Sequence, residues 1–518
     1  MKSGEKNPNK ALYQQLRTFT CEQLWEEEVP SFDRATSAER MERVSLIRAI
    51  GVVFSESGTE EQKALVRPWL QRLLQDPAEK IRRYAMAALP KIGAGHGDEA
   101  ELLSLMQKTT LGREKRFLGE ALAKIGGSET LEILEQSVGE EFSPVTQKVR
   151  ANVARTESPS IVKLDRLLRD FGGLRIHLRG RSGLEQIVCE EVEEAAAQDG
   201  KWRVAEVRRG LVVITPIAAF SLGDLYSLRC FGTVGFVLGS VDGRENAESV
   251  EALAAVIASP LTRRLLETFT EGSLRYRLSF VGKGHQRGAV REVAARAFAL
   301  CPEILNDARN APWAIEVYPG ERKSLVELRP RITPDPRLAY RRQDVPAASH
   351  PPLAACMARL GMGTDDVIWD PFCGSGLELI ERARLGGVRK IFGTDLDPRA
   401  VAITQENIVA ANLPLIDTEL VCADFRDFVR SGDLRANTVS LIITNPPMGK
   451  RVPIPDLRQL IEDLFTTAAT VLKPGGRLIF ANPLRLESPT RALKLESRRV
   501  VDFGGFDCRL ESYRKVGG

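Results

Sequence analysis

The sequence predicts a multidomain protein in which a helical N-terminal third precedes a mixed α+β middle and a C-terminal α/β domain. Three observations support this division. The length of 518 residues is about three times that of a typical domain. Apolar residues recur at helical spacing over 35–162, whereas the following segments show both strand and helix patterns. From residue 346 onward, strands and helices alternate at the spacing of a doubly wound parallel sheet.

The composition excludes several classes of protein. With 43% hydrophobic and 27% charged residues, the chain is typical of folded globular proteins. No apolar run is long enough to span a bilayer, and the first residues lack the apolar core of a secretory signal. The eight cysteines are scattered without a Cys-x-x-Cys pair, and the four histidines are isolated. We therefore expect a cytoplasmic protein with reduced thiols, no metal and no membrane partner.

Charge is unevenly distributed along the chain. The net charge of the chain is +4. The segment 272–345 contains fourteen Lys and Arg and eight acidic residues, so its own net charge is 14 − 8 = +6. Such a segment is either a solvated charged surface or a site for an anionic partner. The charge alone leaves both interpretations open.

A short motif recurs in the helical third. Residues 88–93 (Ala-Leu-Pro-Lys-Ile-Gly) recur as 121–126 (Ala-Leu-Ala-Lys-Ile-Gly), and a weaker copy occupies 46–51. Each copy puts apolar residues on one helix face and a glycine where the helix is expected to stop. Asp76 is the expected N-cap of the helix that leads to the second copy. The pattern resembles HEAT-type repeats, which stack into an α-solenoid, and a plain helical bundle is the alternative.

The period changes after residue 166. Strands are expected over 174–178, 211–214, 234–238, 274–281, 313–318 and 324–328. Helices are expected over 183–197, 247–258 and 289–300. This alternation predicts an α+β region built as two small layered units.

The C-terminal third predicts a seven-stranded sheet. Five strands at parallel spacing are expected over 366–370, 390–394, 418–421, 439–444 and 477–481. Two further strands, 500–503 and 509–513, are expected to close the sheet as an antiparallel pair. The predicted architecture is a Rossmann-like α/β fold.

A glycine-rich turn follows the first of these strands. The turn reads Asp370-Pro-Phe-Cys-Gly374-Ser-Gly376, and glycines there allow a backbone to pass close to a ligand. The turn lacks both the G-x-G-x-x-G pattern and the Gly-Lys-Thr/Ser of a P-loop. Dinucleotide and triphosphate sites are therefore disfavoured.

Polar residues also end the next three strands. Asp395 can accept hydrogen bonds from ribose hydroxyls, whereas Asp397 is the expected N-cap of the helix that Pro398 begins. Asp424 ends the third strand, where its carboxylate could accept from an adenine amino group. The fourth strand ends in Asn445-Pro-Pro-Met448. One edge of the sheet thus collects all four motifs.

This set of motifs resembles the class I S-adenosylmethionine-dependent methyltransferases, and Asn-Pro-Pro is typical of the branch that methylates exocyclic amino groups of bases. The resemblance implies S-adenosylmethionine as the cofactor. It implies cofactor contacts from Asp370, Phe372, Gly374, Ser375, Gly376, Asp395, Asp424 and Asn445. It implies catalytic roles for Asn445, Pro446, Pro447 and Met448, in which the Asn445 oxygen and the Pro446 carbonyl accept the two N–H bonds of the amine.

The lead-in sequences at 337–342 and 346–355 are similar to a subgroup that joins a THUMP domain to this catalytic domain and makes N2-methylguanosine in tRNA or large-subunit rRNA. The resemblance implies five segments along the chain. They are an N-terminal helical extension (1–34), HEAT-like repeats (35–166), a ferredoxin-like plus THUMP module (173–333), a linker (334–345) and the methyltransferase domain (346–518).

The implied partner is RNA, either tRNA or rRNA, and the repeats are a candidate docking surface for a protein partner. Basic residues expected to contact RNA are Arg275, Arg277, Lys283, Arg287, Arg341, Arg342, Lys450 and Arg451.

Two features depart from the subgroup. Met448 stands where its members carry an aromatic ring that stacks on the target base, and the HEAT-like third is absent from its usual architecture. N6-adenine methylation and a non-catalytic RNA-binding scaffold therefore remain alternatives. Cytosine-5 chemistry is disfavoured because Cys373 lies in the glycine-rich turn and Cys422 in the third strand, away from the fourth-strand motif.

Overall fold

The structure, a computed structural model, describes residues 8–93, 96–136, 145–146, 148–150, 153, 159–242, 247–284, 286–346, 348–449 and 454–517. The chain divides into two compact units, Met1–Pro159 and Ser160–Gly518. Lys450 and Arg451, two of the predicted RNA contacts, lie outside the described residues. Over the described part of the chain, no helix combines the length and the apolar composition needed to cross a membrane.

The described elements of the first unit are helices, as the periodicity predicts. Its α-helices are α1 Pro8–Leu16, α2 Cys21–Gln23, α3 Val29–Arg34, α4 Ser37–Glu42, α5 Ser45–Ser57, α6 Glu60–Leu73, α7 Glu79–Ala88, α8 His96–Lys108, α9 Gly112–Ile125 and α10 Ser128–Gln136. A π-helical turn, Leu24–Glu28, precedes α3, and a 3₁₀ turn, Leu89–Lys91, follows α7. One apolar cluster runs from α1 to α9.

The three glycines of the repeated motif act differently. Gly126 caps the C-terminus of α9, and Gly93 follows the 3₁₀ turn with a φ of 79°. The predicted stop at Gly51 is wrong, because α5 continues to Ser57. A Cβ at Gly51 would lie 2.7 Å from the Cβ of Ala88, so this glycine instead lets α5 and α7 pack closely.

Asp76 is not the N-cap that the sequence predicts. The N-cap of α7 is Ala78, whose backbone N–H donates to Asp76 Oδ1 at 2.9 Å. The Asp76 carboxylate is buried and pairs with Arg40 at 2.5 Å. Because a buried carboxylate requires a counter-charge, the ion pair determines the position of this side chain.

The second unit begins with strand β1 at Ser160, within the segment assigned to the repeats. Its strands up to residue 330 are β1 Ser160–Val162, β2 Leu167–Leu168, β3 Ile176–Arg179, β4 Trp202–Arg208, β5 Leu211–Pro216, β6 Phe220–Ser221, β7 Thr233–Asp242, β8 Thr270–Gly272, β9 Leu274–Phe280, β10 Ile304–Asn306, β11 Trp313–Tyr318 and β12 Lys323–Pro330. Its helices are α11 Glu185–Asp199, α12 Leu222–Ser227, α13 Ala247–Ile257, α14 Pro260–Phe269 and α15 Arg287–Leu300.

Eight of these strands form one sheet in the order β10-β9-β11-β12-β7-β3-β5-β4. The two layered units that the sequence predicts therefore share a single sheet. The antiparallel pair β12–β7 joins the two halves, with Leu328 opposite Phe236. Since Phe236 and Leu328 are both fully buried, the two halves share one core.

The C-terminal third contains the predicted seven-stranded sheet. Its strands are β13 Asp366–Asp370, β14 Val388–Asp395, β15 Asp417–Cys422, β16 Val439–Thr444, β17 Leu472–Asn482, β18 Leu493–Asp502 and β19 Asp507–Lys515. Its helices are α16 Pro351–Leu360, α17 Leu377–Arg384, α18 Pro398–Ala410, α19 Phe425–Arg430 and α20 Leu457–Val471. The order is β15-β14-β13-β16-β17-β19-β18, and β19 lies antiparallel between β17 and β18.

The segment 334–345, predicted as a linker, is packed. Arg337 is buried and donates to the carbonyls of Phe231, at 2.7 Å, and Gly232, at 3.2 Å. The fully buried Tyr340 donates its hydroxyl to Glu381 of α17 at 2.5 Å. This segment therefore fastens the eight-stranded sheet to the seven-stranded one.

A buried ion pair strengthens the same junction. Arg229 donates through Nε and Nη2 to both carboxylate oxygens of Glu381, each at 2.6 Å. Glu381 has only 2% of its side chain exposed. Removing one partner of a buried pair leaves the other charge without compensation.

We expect Arg229→Ala to lower the free energy of unfolding of the second unit by about 3–5 kcal/mol, measured by urea denaturation with tryptophan fluorescence. The matched control is Arg458→Ala, which removes a solvent-accessible i,i+4 pair with Glu462 and is expected to cost about 0–1 kcal/mol. Equal losses in the two variants would show that the Arg229–Glu381 pair does not stabilise the junction.

Candidate active site

A cavity of about 1000 Å³ opens where the carboxyl ends of β13, β14 and β16 meet. Parallel strands end at the same edge of a sheet, so the motifs that follow them converge there. Most of the residues that the sequence assigned to the site line this cavity. They are Phe372, Gly374, Ser375, Asp395, Asp424, Asn445, Pro446, Pro447, Met448 and, among the predicted RNA contacts, Arg341.

Asp370 lies behind the cavity wall. Its side chain is fully buried, and Oδ1 accepts hydrogen bonds from Thr444 Oγ1 at 2.5 Å and from the Phe372 N–H at 3.0 Å. Burial, reinforced by the nearby Glu378 carboxylate, raises the pKa of Asp370. Asp370 thus ties the end of β16 to the glycine-rich turn and does not line the cavity.

The glycine-rich turn depends on left-handed backbone conformations. Gly374 and Gly376 have φ values of 54° and 79°. A Cβ at Gly376 would lie 2.9 Å from Thr404 Cγ2 of α18, so this glycine allows close packing against the helix. Gly374 lines the cavity, and its N–H donates to Asp395 Oδ2 at 3.0 Å.

The Asp395 carboxylate joins the ends of β13 and β14. Besides accepting from Gly374, it accepts through Oδ1 from the Asp397 N–H at 3.0 Å. Each carboxylate oxygen keeps a second lone pair, so Asp395 can still accept from a bound hydroxyl group. Asp397 accepts from the Arg399 N–H at 2.9 Å and is the N-cap of α18, which confirms its predicted structural role.

The Asp424 carboxylate already accepts hydrogen bonds within the protein, which the sequence does not predict. It caps α19 and accepts from the Arg426 guanidinium at 2.9 Å and 2.6 Å. These hydrogen bonds lower the pKa of Asp424. Arg426 also donates to Asp463 at 2.9 Å, so a ligand amino group would share Asp424 with a held arginine.

Asn445 is anchored by two residues that the sequence analysis did not assign to the site. Its Nδ2 donates to Ser349 Oγ at 2.7 Å, and Ser349 Oγ in turn donates to Glu378. Asn445 Oδ1 is buried and has no hydrogen-bond partner among the described residues. A buried acceptor of this kind requires an N–H or O–H donor to recover the hydrogen bond that it lost on folding. No local sequence signal marks Ser349 or Glu378, because the helical neighbours of Glu378 are the charged Glu381 and Arg382.

The remaining cavity wall brings together distant parts of the second unit. Phe503 and Phe506, from the turn between β18 and β19, line it with Met448. Arg181, from the loop after β3, lines it as well, with its guanidinium 5.7 Å from the centre of the Phe503 ring. The turn therefore supplies aromatic surface that Met448 does not. Sequence reasoning missed it because the pair of phenylalanines lies far along the chain from the other motifs.

The six predicted RNA contacts that the structure describes fall into three positions: Arg341 lines the cavity, one residue is buried and four are exposed. Arg275 is buried in β9 beside Asp307, 3.7 Å away, so the prediction that it contacts RNA is wrong. A buried guanidinium requires a counter-charge, and the Asp307 carboxylate supplies it. The side chains of Arg277, Lys283, Arg287 and Arg342 are exposed, outside the cavity.

The thiols, all of which lie in the described part of the chain, provide no activated nucleophile for the cavity. Cys373 is buried, and burial raises the pKa of its thiol, which disfavours the reactive thiolate. Cys422 is exposed at the end of β15. Among the residues that the structure describes, no three His, Cys, Asp or Glu side chains are grouped to hold a metal ion.

The segment that contains the cavity motifs is similar to known methyltransferases. The UPF0020 family model, described as an RMKL-like methyltransferase domain, matches residues 338–510. A tRNA (guanine(10)-N2)-dimethyltransferase of Methanothermobacter thermautotrophicus is 38% identical over 149 residues, which are 28% of this chain and 41% of that protein. The chain thus spans less than half the length of this relative.

Two further relatives extend the comparison. A probable tRNA (guanine(10)-N2)-dimethyltransferase of Methanothermococcus thermolithotrophicus is 32% identical over 142 residues, which are 26% of this chain and 81% of that protein. The crystal structure of TrmN from Thermus thermophilus covers 66% of this chain and 100% of its own, with a TM-score of 0.51 and 22% identity. The structural likeness shows a shared fold.

We expect Gly376→Ala to destabilise the second unit by more than the about 1–2 kcal/mol that a left-handed alanine costs, because its Cβ would also collide with Thr404. The control is Gly386→Ala, which has a similar φ of 77° and nothing within 4 Å of the added Cβ. Urea denaturation of both variants separates the collision from the backbone cost. The interpretation fails if the two substitutions cost the same.

Proposed function

Because the chain belongs to the UPF0020 family of RMKL-like methyltransferases, we propose that it is an S-adenosylmethionine-dependent RNA methyltransferase acting on the exocyclic N2 of guanosine. The observation that carries the proposal is Asn445, which lines a cavity large enough for a ligand and whose buried Oδ1 is an acceptor without a partner among the described residues. The guanine amino group provides the missing donor. The names of both tRNA-modifying relatives specify guanine N2.

The cavity fits S-adenosylmethionine. Its volume of about 1000 Å³ lies within the range of ligand pockets. Asp395 would hold the ribose hydroxyls through its open lone pairs, and Gly374 and Ser375 would face the rest of the cofactor. Asp424 and Phe425 would border the adenine. When bound, the cofactor supplies an electrophilic methyl group.

Asn445 and Pro446 would prepare the amine. The lone pair of an exocyclic amine is delocalised into the base, so the nitrogen is a poor nucleophile. Accepting its two N–H bonds, at Asn445 Oδ1 and the Pro446 carbonyl, would draw the nitrogen toward tetrahedral geometry and orient its lone pair. Pro446 is buried and Met448 half-buried, so the acceptors act in a partly dry site where hydrogen bonds are stronger.

The other regions would bring the RNA to this site. We infer that 173–333 is a ferredoxin-like plus THUMP-like module whose exposed Arg277, Lys283 and Arg287 contact phosphates. The helices of 35–166 would be HEAT-like repeats that dock the RNA or a protein partner. The eight cysteines, all free thiols, suit the reducing cytoplasm in which tRNA and rRNA are modified.

The test is methyl transfer to bulk tRNA and rRNA from cells that lack the gene, followed by nucleoside mass spectrometry. N2-methylguanosine is the expected product. N6-methyladenosine would instead support the adenine alternative. If the protein binds S-adenosylmethionine by calorimetry and yet methylates no RNA, it is a non-catalytic RNA-binding scaffold.

We expect Asn445→Ala to lower methyl transfer by about a hundredfold or more, because one aligned acceptor of the reacting amine is lost. Its affinity for S-adenosylhomocysteine should stay near that of the wild type, since the amide faces the base. Single-turnover rates and calorimetry on the same preparation separate the two effects. A parallel loss of rate and cofactor affinity would mean that Asn445 holds the cofactor instead.

We expect Asp395→Ala to weaken S-adenosylhomocysteine binding by about 2–4 kcal/mol, because two charge-assisted hydrogen bonds to ribose are lost. Isothermal calorimetry measures this change. Asp427→Ala is the control, since this exposed carboxylate pairs with Arg430 outside the cavity. Unchanged affinity of Asp395→Ala would place the ribose elsewhere.

A further inference from the structure

A chain of hydrogen bonds runs from Asn445 into the protein. Asn445 follows β16, Ser349 precedes α16, and Glu378 lies in the first turn of α17. Ser349 has 9% of its surface exposed and Glu378 4%, so water has little access to either. Three separate elements thus bring one amide, one hydroxyl and one carboxylate together in the cavity wall.

The direction of this chain is determined by the carboxylate. An ionised Glu378 can only accept, so Ser349 must donate its single hydroxyl proton to it. The Ser349 oxygen can then only accept from Asn445, so the amide must present Nδ2 to Ser349. Asn445 Oδ1 is consequently turned to the other side, where it has no partner among the described residues.

Protonation of Glu378 would remove this constraint. A protonated carboxyl can donate to Ser349, whose hydroxyl can then donate to Asn445 Oδ1. The amide would rotate and present Nδ2 to the cavity. The Nδ2 group is a donor, so it cannot accept a hydrogen bond from the N–H of a substrate amine.

The surroundings of Glu378 make such protonation accessible. Burial raises the pKa of Glu378, and the acidic Glu381 on the same helix adds to this effect. Asp370 of β13 faces it as a second acid, whereas the Ser349 hydroxyl and Arg341, both before α16, oppose the shift. Glu381 pairs with Arg229, and Arg341 pairs with Asp344. Because both charges are compensated, neither residue controls the pKa of Glu378 by itself.

We propose that Ser349 and Glu378 are positioning residues that hold the Asn445 amide with its oxygen toward the cavity, and that methyl transfer requires Glu378 to be ionised. This inference rests on the proposed function of Asn445 as the acceptor for the substrate amine. A purely structural role of the two residues would affect stability but would not set a pH dependence.

The kinetic test compares single-turnover methyl transfer from about pH 5 to about pH 9 in wild type and two variants. The wild-type rate should rise with pH through one ionisation, because Glu378 must lose its proton. Ser349→Ala should be about tenfold or more slower at high pH, the cost of a lost orienting hydrogen bond, with this ionisation gone. Glu378→Gln should also lose the ionisation, since its neutral amide can either donate or accept.

A third variant tests the assignment to Glu378. Asp370→Asn keeps an oxygen that can accept from Thr444 and the Phe372 N–H but removes the second buried acid, whose pKa is raised by burial and by the Glu378 carboxylate. The ionisation of the rate should persist in this variant, because it belongs to Glu378, and its disappearance would assign it to Asp370 and overturn the proposal. The proposal is overturned if Ser349→Ala or Glu378→Gln keeps the rate and pH profile of the wild type.

A spectroscopic readout separates this proposal from the proposed function. With ¹⁵N-asparagine labelling, the side-chain amide signal of Asn445, assigned by its absence in Asn445→Ala, should shift with the ionisation of Glu378. The shift should vanish in Ser349→Ala. If wild type methylates no RNA but the shift is present, the proposed function fails while the orienting chain stands. If the signal is insensitive to pH, the proposal fails whatever the activity.

Discussion

The candidate site depends on the parallel pairing of β13 with β14 on one side and β16 on the other. Asp370 lies opposite Gly393, and Trp369 opposite Ile442, so the three strands reach the same edge together. Three motif loops that are well separated along the chain therefore start from neighbouring points. The Thr444–Asp370 hydrogen bond then locks the ends of β13 and β16 in this register.

The acceptors at the site differ in how many hydrogen bonds they already accept within the protein. Asp424 is neutralised by Arg426, and both oxygens of Asp395 already accept backbone N–H groups. Asn445 differs, because one end of its amide is held and the other has no partner among the described residues. An unsatisfied buried acceptor costs free energy in the folded protein, and a substrate that provides the donor recovers that cost on binding. Such a site favours a ligand that provides a hydrogen-bond donor at this point.

The loop after β3 of the eight-stranded sheet lines the cavity through Arg181 and contacts β18 and the turn that follows it. Arg181 donates to the Asp502 carbonyl at 2.7 Å, and the Asp502 N–H donates to the Ser182 carbonyl at 3.1 Å. A Cβ at Gly183 would lie 2.0 Å from the Val500 oxygen, so the backbones touch there. The exposed Arg277, Lys283 and Arg287 thus lie in the same compact unit as the cavity.

The sequence alone was sufficient for the fold of the C-terminal third. Strand and helix periods located all seven strands, and the expected ranges 366–370 and 439–444 coincide with β13 and β16, although β18 begins earlier than expected. Local patterns are reliable there because buried parallel strands are nearly uniformly apolar and their polar ends stand out. The motifs at Asp395, Asp424 and Asn445 were found for the same reason.

Only the tertiary structure determined which polar groups serve the cavity and which serve the protein interior. Asp370 and Arg275 carry the same kinds of side chain as their functional neighbours, yet both are buried and paired within the fold. Ser349 and Glu378 belong to the site although no local pattern marks them as such. Sequence spacing specifies the face of a strand or helix on which a residue lies. Burial and hydrogen-bond direction depend on elements that arrive from elsewhere in the chain, and those decide what each polar group does.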